Sequence, residues 1–153
     1  MLKAKPSGFF SWDFDLYEDE RLVGQMGMAW FQEGGRFVWK GSEYQLFREG
    51  LWSGSFLLQL DGQTLADATK VSPFLRCFDV RVGDRTLILK AASAFTRQFQ
   101  LIACDVIVGF VTPDGLFSRQ CTISFPDDLT LPVQIFLFWL VVLMWRRAAQ
   151  SSS

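Results

Sequence analysis

The chain has 153 residues, enough for one hydrophobic core and short of two domains with a linker. Half of the residues are hydrophobic and 16% are aromatic (16 Phe, 6 Trp and 2 Tyr), while 15 Lys plus Arg nearly balance 16 Asp plus Glu for a net charge of -1. This composition excludes intrinsic disorder and any bulk electrostatic drive toward nucleic acid, and with no His the usual general base, imidazole metal ligand and physiological pH switch are missing.

At the N-terminus, Lys3 and Lys5 precede Phe9-Phe10-Ser11-Trp12-Asp13-Phe14-Asp15, where acids interrupt what a secretory signal would need as an apolar stretch. No signal peptide is expected, and the body of the chain is expected in the cytosol. Asp13 and Asp15, then Glu18-Asp19-Glu20, offer carboxylates for acid and base work. At i, i+2 on an edge strand or turn they read instead as a solvated face that discourages edge pairing.

The chain then repeats. An aromatic residue is followed by apolar residues four and six positions later in Trp52/Phe56/Leu58, Phe74/Phe78/Val80, Phe95/Phe99/Leu101 and Phe117/Cys121/Ile123, with the leading positions 22, 21 and 22 residues apart. Phe10/Phe14/Leu16 falls 42 residues before Trp52, and Phe31 takes the slot between them as a weaker match that Gly34-Gly35 displaces. Apolar residues alternate within each unit and turn signals follow: Asp61-Gly62, Gly83-Asp84 and Ala103-Cys104-Asp105. Second strands, 64–68, 86–90 and 106–111, complete β-hairpins. About eleven or twelve antiparallel strands are predicted over residues 8–126, which must close into a barrel or split into a sandwich to hide their edges. In a basic groove the aromatic alternation would suggest a stacking platform for single strands; without one it reads as core.

Cys77, Cys104 and Cys121 are an odd number, 27 and 17 residues apart, with no CxxC pair and no His. They read as small hydrophobes in a reducing compartment, and no metal site is expected. Arg76, Arg97 and Arg119 each fall two residues after the repeated aromatic, so successive hairpins should set them at equivalent positions around one rim, with Asp61, Asp84 and Asp105 at the other end. These arginines are the candidate anion-binding residues, suited to phosphate or an acidic lipid headgroup. The competing reading pairs them with Asp114, Asp127 or Asp128 as a staple between the last strands and the helix start.

From residue 131 to 147 the chain is apolar on every side. Asp127 or Asp128 can cap the start, Pro132 suits a first turn, and Arg146 and Arg147 complement the C-terminal dipole. A helix without a polar face spans a membrane or fills a core. The 15 residues from Leu131 to Trp145 give roughly 22 Å against roughly 30 Å of hydrocarbon, and membrane insertion would translocate two arginines. A barrel of about twelve strands is too wide for its own side chains to fill. The helix is therefore expected to plug it, with residues 148–153 as a disordered tail.

A closed antiparallel barrel threaded by a C-terminal hydrophobic helix resembles the tubby C-terminal fold shared by LURP-one-related proteins and phospholipid scramblases. The hairpins from Trp52 to Phe125 and the stretch from Asp127 to Arg147 bear the likeness. The stretch Pro126-Asp-Asp-Leu-Thr-Leu-Pro-Val133, leading into a helix that ends Trp145-Arg-Arg, is similar to small uncharacterised bacterial proteins. The resemblance implies one tubby-like domain over residues 1–153. Tubby proteins bind phosphoinositides through a basic pocket, of which no residue is carried over here.

No GxSxG, GxxxxGKS/T or GxGxxG motif occurs, and Gly24-Gln-Met-Gly27 and Ser53-Gly54-Ser55 sit in strand or turn context. The sequence thus points to a non-enzymatic binding or scaffold protein without cofactor, monomeric and cytoplasmic, peripheral at the inner membrane face through acidic phospholipid or another anion. The alternative is a tail-anchored membrane protein with a cytosolic β domain.

Overall fold

A computed structural model describes residues 1–8, 12–28, 34–50 and 54–151, which form a closed antiparallel barrel around a C-terminal helix. Its strands are β1 (Leu2–Pro6), β2 (Phe14–Glu18), β3 (Arg21–Met28), β4 (Gly34–Trp39), β5 (Ser42–Arg48), β6 (Ser55–Leu60), β7 (Gln63–Lys70), β8 (Cys77–Val82), β9 (Arg85–Ala91), β10 (Phe99–Ala103), β11 (Val106–Pro113) and β12 (Cys121–Ser124), and the helix is α1 (Leu131–Ser151). Each strand pairs with its chain neighbours, and β1 closes the ring on β12 through Leu2↔Ile123, Lys3↔Thr122 and Ala4↔Cys121.

Strand β1 begins at Leu2, earlier than the sequence limit of residue 8. Leu2 and Ala4 point inward and Lys3 and Lys5 outward, but five residues with one large apolar side chain make a weak periodic signal.

The two ends of the barrel are built differently. At one end five connections are two-residue turns: 19–20, 40–41, 61–62, 83–84 and 104–105. In Asp61-Gly62 both residues take positive φ, 51° and 78°, the twist-matched turn that a tight hairpin needs. Cys104-Asp105 adopts the same geometry without glycine, so Cys104 lies in the turn that Ala103-Cys104-Asp105 signals, exposed and not packed as a small hydrophobe. At the other end six longer connections, 7–13, 29–33, 49–54, 71–76, 92–98 and 114–120, join the strands.

A doubled period underlies the repeat. The ladder shifts after Leu16, Leu58 and Leu101, 42 and 43 residues apart, leaving Val23, Leu65 and Val108 as the extra residues of three β-bulges. These three pack against the core near the tight-turn end, because a bulge re-aims the side chain it inserts.

The residues four and six places after each repeated aromatic face inward: Phe14, Leu16, Phe56, Leu58, Phe78, Val80, Phe99, Leu101, Cys121 and Ile123 are all buried. They pack on α1, where every residue from Ile135 to Trp145 is buried. Phe138 meets Phe14 edge-on at 5.1 Å between ring centroids, and Trp139 meets Phe56 at 5.8 Å. Gly35 allows close approach here: a Cβ on it would lie 2.5 Å from the Gly27 carbonyl oxygen and 3.2 Å from Trp139 Nε1. That constraint explains why Gly34-Gly35 interrupts the repeat.

Helix α1 starts where expected, but not on the expected cap. The first helical bond runs from Gln134 N–H to the Thr130 carbonyl at 3.0 Å, so Thr130 is the boundary residue, while Asp128 accepts from Arg85 at 2.9 Å. The helix continues to Ser151, so residues 148–151 are helical and not a disordered tail; residues 152–153 lie outside the described part. Its 21 residues correspond to about 31 Å, long enough to cross a bilayer. Length therefore does not separate plug from membrane span. In this structure the helix lies inside the barrel.

Candidate functional site

Because the strands alternate in direction, Arg76, Arg97 and Arg119 all stand at the long-connection end, each at or near the end of the connection leading into β8, β10 and β12. Each donates to a different connection. Arg76 donates from Nη1 to the Thr96 carbonyl (2.7 Å) and from Nη2 to the carbonyls of Ser93 (2.9 Å) and Ala94 (3.0 Å). Arg97 does the same one connection further on, from Nη1 to Ser118 (2.7 Å) and from Nη2 to Gly115 (2.6 Å) and Leu116 (2.7 Å). Arg119 donates to the Gly8 carbonyl at 3.2 Å, across the closure of the barrel.

The offsets repeat. The carbonyls gripped by Arg76 belong to the residues at -2, -1 and +1 of Phe95, and those gripped by Arg97 hold the same places around Phe117. Gly8 is at -2 of Phe10, although Phe10 itself, like Phe31 and Trp52, lies outside the described residues. Each guanidinium also rests near a ring: Arg76 over Phe99, Arg97 over Trp145 and Arg119 over Trp12, at 5.8, 6.0 and 5.6 Å from the centroids. Trp145 Nε1 in turn donates to the Arg97 carbonyl at 2.9 Å, locking helix to rim.

The staple reading named the wrong partners. Asp127 and Asp128 sit at the opposite end beside the helix start, where Arg85 holds Asp128. Asp114 is at the arginine end but binds Lys3 Nζ at 3.0 Å and accepts from Thr122 Oγ1 at 3.0 Å. Arg76 and Arg97 brace neutral backbone carbonyls, so their charge is not cancelled by these contacts.

The leading aromatics were expected in the core. Phe74, Phe95 and Phe117 are instead 92%, 101% and 96% exposed, and Leu116 beside Phe117 is 87% exposed. The reason is positional: the inward-facing alternation begins four residues later, and the leading residue falls in the connection. Ser72-Pro73 and Asp114-Gly115 just before these tips are turn signals that mark them as loop residues.

Charge divides along the barrel axis. Counting the connections and the strand residues that flank them, the tight-turn end holds Glu18, Asp19, Glu20, Asp61, Asp84, Asp105, Asp127 and Asp128 against Arg21, Lys40 and Arg85. The other end gathers Arg48, Lys70, Arg76, Arg97, Arg119, Arg146 and Arg147 against Asp13, Glu49 and Asp114 among the described residues.

Neither core-side thiol is poised for chemistry. Burial pushes the Cys121 thiol far up, with Asp114 adding to the shift, and burial also raises Cys77, with Asp79 adding. No group of His, Cys, Asp and Glu suited to a metal ion occurs among the described residues.

The fold defines the chain as an up-and-down β-barrel filled by its own C-terminal helix, with an acidic tight-turn end and a basic end of arginine-braced loops. No protein-family model, curated protein or solved structure matches it.

Proposed function

We propose that the protein is a non-enzymatic, monomeric binding protein that docks its arginine-bearing end on an acidic phospholipid surface, peripheral at the cytoplasmic face of a bacterial membrane. The observation behind this reading is the division of charge along the barrel axis. A chain of net charge -1 has no overall attraction to an anionic bilayer, yet with a surplus of cations at one end and of carboxylates at the other it orients in the field of one. The architectural likeness to tubby-like barrels is consistent with such a role. Because the hydrogen bonds of Arg76 and Arg97 are directed at carbonyls, the reading is of a charged face and not of a pocket gripping one headgroup.

The tail-anchored alternative is less economical. It would withdraw Ile135–Trp145 from the barrel and leave the strands' 21 buried apolar side chains among the described residues facing water.

Co-sedimentation with phosphatidylcholine vesicles, with and without phosphatidylglycerol, tests the proposal. Binding is expected only to the anionic vesicles at about 0.1 M salt and should weaken toward about 1 M, where the Debye length shrinks from about 10 to about 3 Å. Failure to pellet with anionic vesicles at the lower salt would remove the function.

A further inference from the structure

The apolar side chains exposed at this end call for a reason of their own. Phe74, Phe95, Leu116 and Phe117 stand on three successive connections with almost no protein around them. Isolated exposed apolar residues are common, but here they recur at one repeat position and at one end of the barrel. Nor are they left to wander. Around Phe95 and Phe117 an arginine from the preceding connection grips three backbone carbonyls, which fixes the tip while directing the ring outward. The three remaining connections at this end have the same character in sequence, with Phe9-Phe10, Trp30-Phe31 and Leu51-Trp52, although those residues lie outside the described part.

We infer that these aromatic loop tips insert into the interfacial layer of the bilayer and supply most of the binding free energy, with Arg76 and Arg97 as positioning residues that hold the Phe95 and Phe117 tips out. The inference rests on the proposed membrane docking and specifies its mode. Two features favour a lipid surface over a protein partner. The apolar groups protrude from three different loops, and the groove that Phe95 and Leu116 edge is lined also by Arg97, Gln98 and Thr112, so it is no continuous apolar slot for a peptide. The cations stand just behind them, at the depth where headgroup phosphates would lie once the rings are immersed. The ends of the barrel are unequal in the same sense, since the tight-turn end presents carboxylates that an anionic surface repels.

The test replaces Phe74, Phe95 and Phe117 together by Ser. Because these side chains are solvent-exposed, the melting temperature should stay within a degree or two of the parent. Partition onto phosphatidylglycerol-containing vesicles should fall on the order of 100-fold, as three phenyl rings no longer leave water. A second measurement reads orientation. A polarity-sensitive fluorophore on Phe95→Cys, in a Cys77→Ser/Cys104→Ser background, should shift to the blue on vesicle binding. The same fluorophore on the native Cys104 of a Cys77→Ser protein, at the opposite end, should not. If the triple variant binds like the parent and the Phe95→Cys label stays in a watery environment, insertion is wrong while charge-driven docking survives. If the parent binds neither vesicle type, both are wrong. If the triple variant changes the elution volume of the protein but not its vesicle binding, the tips join copies of the chain and the inference fails.

Discussion

Arg97 does three jobs at one position. It fans its donors over the carbonyls of Gly115, Leu116 and Ser118, lies over the ring of Trp145 and, through its own carbonyl, accepts from that indole. A planar guanidinium serves several acceptors at once, whereas an ammonium is a single point of charge on a flexible stem. Arg97→Gln should therefore cost about 1–3 kcal/mol of stability, the range for charge-assisted hydrogen bonds in a partly exposed setting. Arg97→Lys should recover little of it. Urea unfolding of the two variants checks this, and an Arg97→Lys curve superimposed on the parent would show that charge alone suffices. At this scale the repeat in the sequence was legible, for it put three arginines on one rim. The partners were not: backbone carbonyls leave no trace in residue identity, and acidic side chains were the natural guess.

At the scale of elements, the barrel depends on its helix. Twelve strands enclose more volume than their inward side chains fill, and the apolar run from Ile135 to Trp145 occupies that space. Leu140 is fully buried among these residues. Leu140→Asp would place a carboxyl where no polar partner exists, at a cost of several kcal/mol, enough to unfold a domain of ordinary stability. Leu140→Met, which conserves volume, should cost less than about 1.5 kcal/mol. Circular dichroism and thermal melts of both decide the matter, and an Asp variant that keeps its strand signal and melting temperature would mean that the helix is not the core. The position of this helix was readable from its lack of a polar face. Its length was misjudged because Arg146 and Arg147 looked like a stop, when the backbone runs on helically to Ser151.

For the molecule as a whole, the seam between first and last strands is where closure must be secured. Lys3 on β1 reaches Asp114 beyond β11 at 3.0 Å and Thr122 on β12 at 2.6 Å, so one ammonium ties together the strands that meet there. Burial tends to raise the Asp114 carboxyl, but hydrogen bonds from Lys3 and Thr122 and the nearby ammonium outweigh it and hold the group below its ordinary range. A lowered folded-state pKa means stability that is present above about pH 4, where the unfolded carboxyl is ionised, and lost as pH falls further through the folded value. Asp114→Asn should therefore flatten the acid limb of stability against pH below about pH 4. The difference at neutral pH should be about 0.5 kcal/mol, since both partners are partly exposed. Stability curves of parent and variant from pH 7 downward give the answer, and parallel acid limbs would count against the clasp.

Local pattern by itself determined the strand periodicity, the tight turns at Asp61-Gly62 and Gly83-Asp84, the apolar helix and the equivalence of Arg76, Arg97 and Arg119. All of these depend on interactions or spacings a few residues long, which composition and period record directly. Ring closure by Leu2–Pro6, the bulges after Leu16, Leu58 and Leu101, and the outward direction of Phe74, Phe95 and Phe117 were settled only in three dimensions. Closure joins residues more than a hundred positions apart. The phenyl rings would have been sorted inward by hydrophobicity alone, but the arginines of neighbouring loops shape the connections from which they project. Such cross-loop restraint has no one-dimensional signature, because a carbonyl oxygen is the same at every residue and only the fold decides which arginine reaches it.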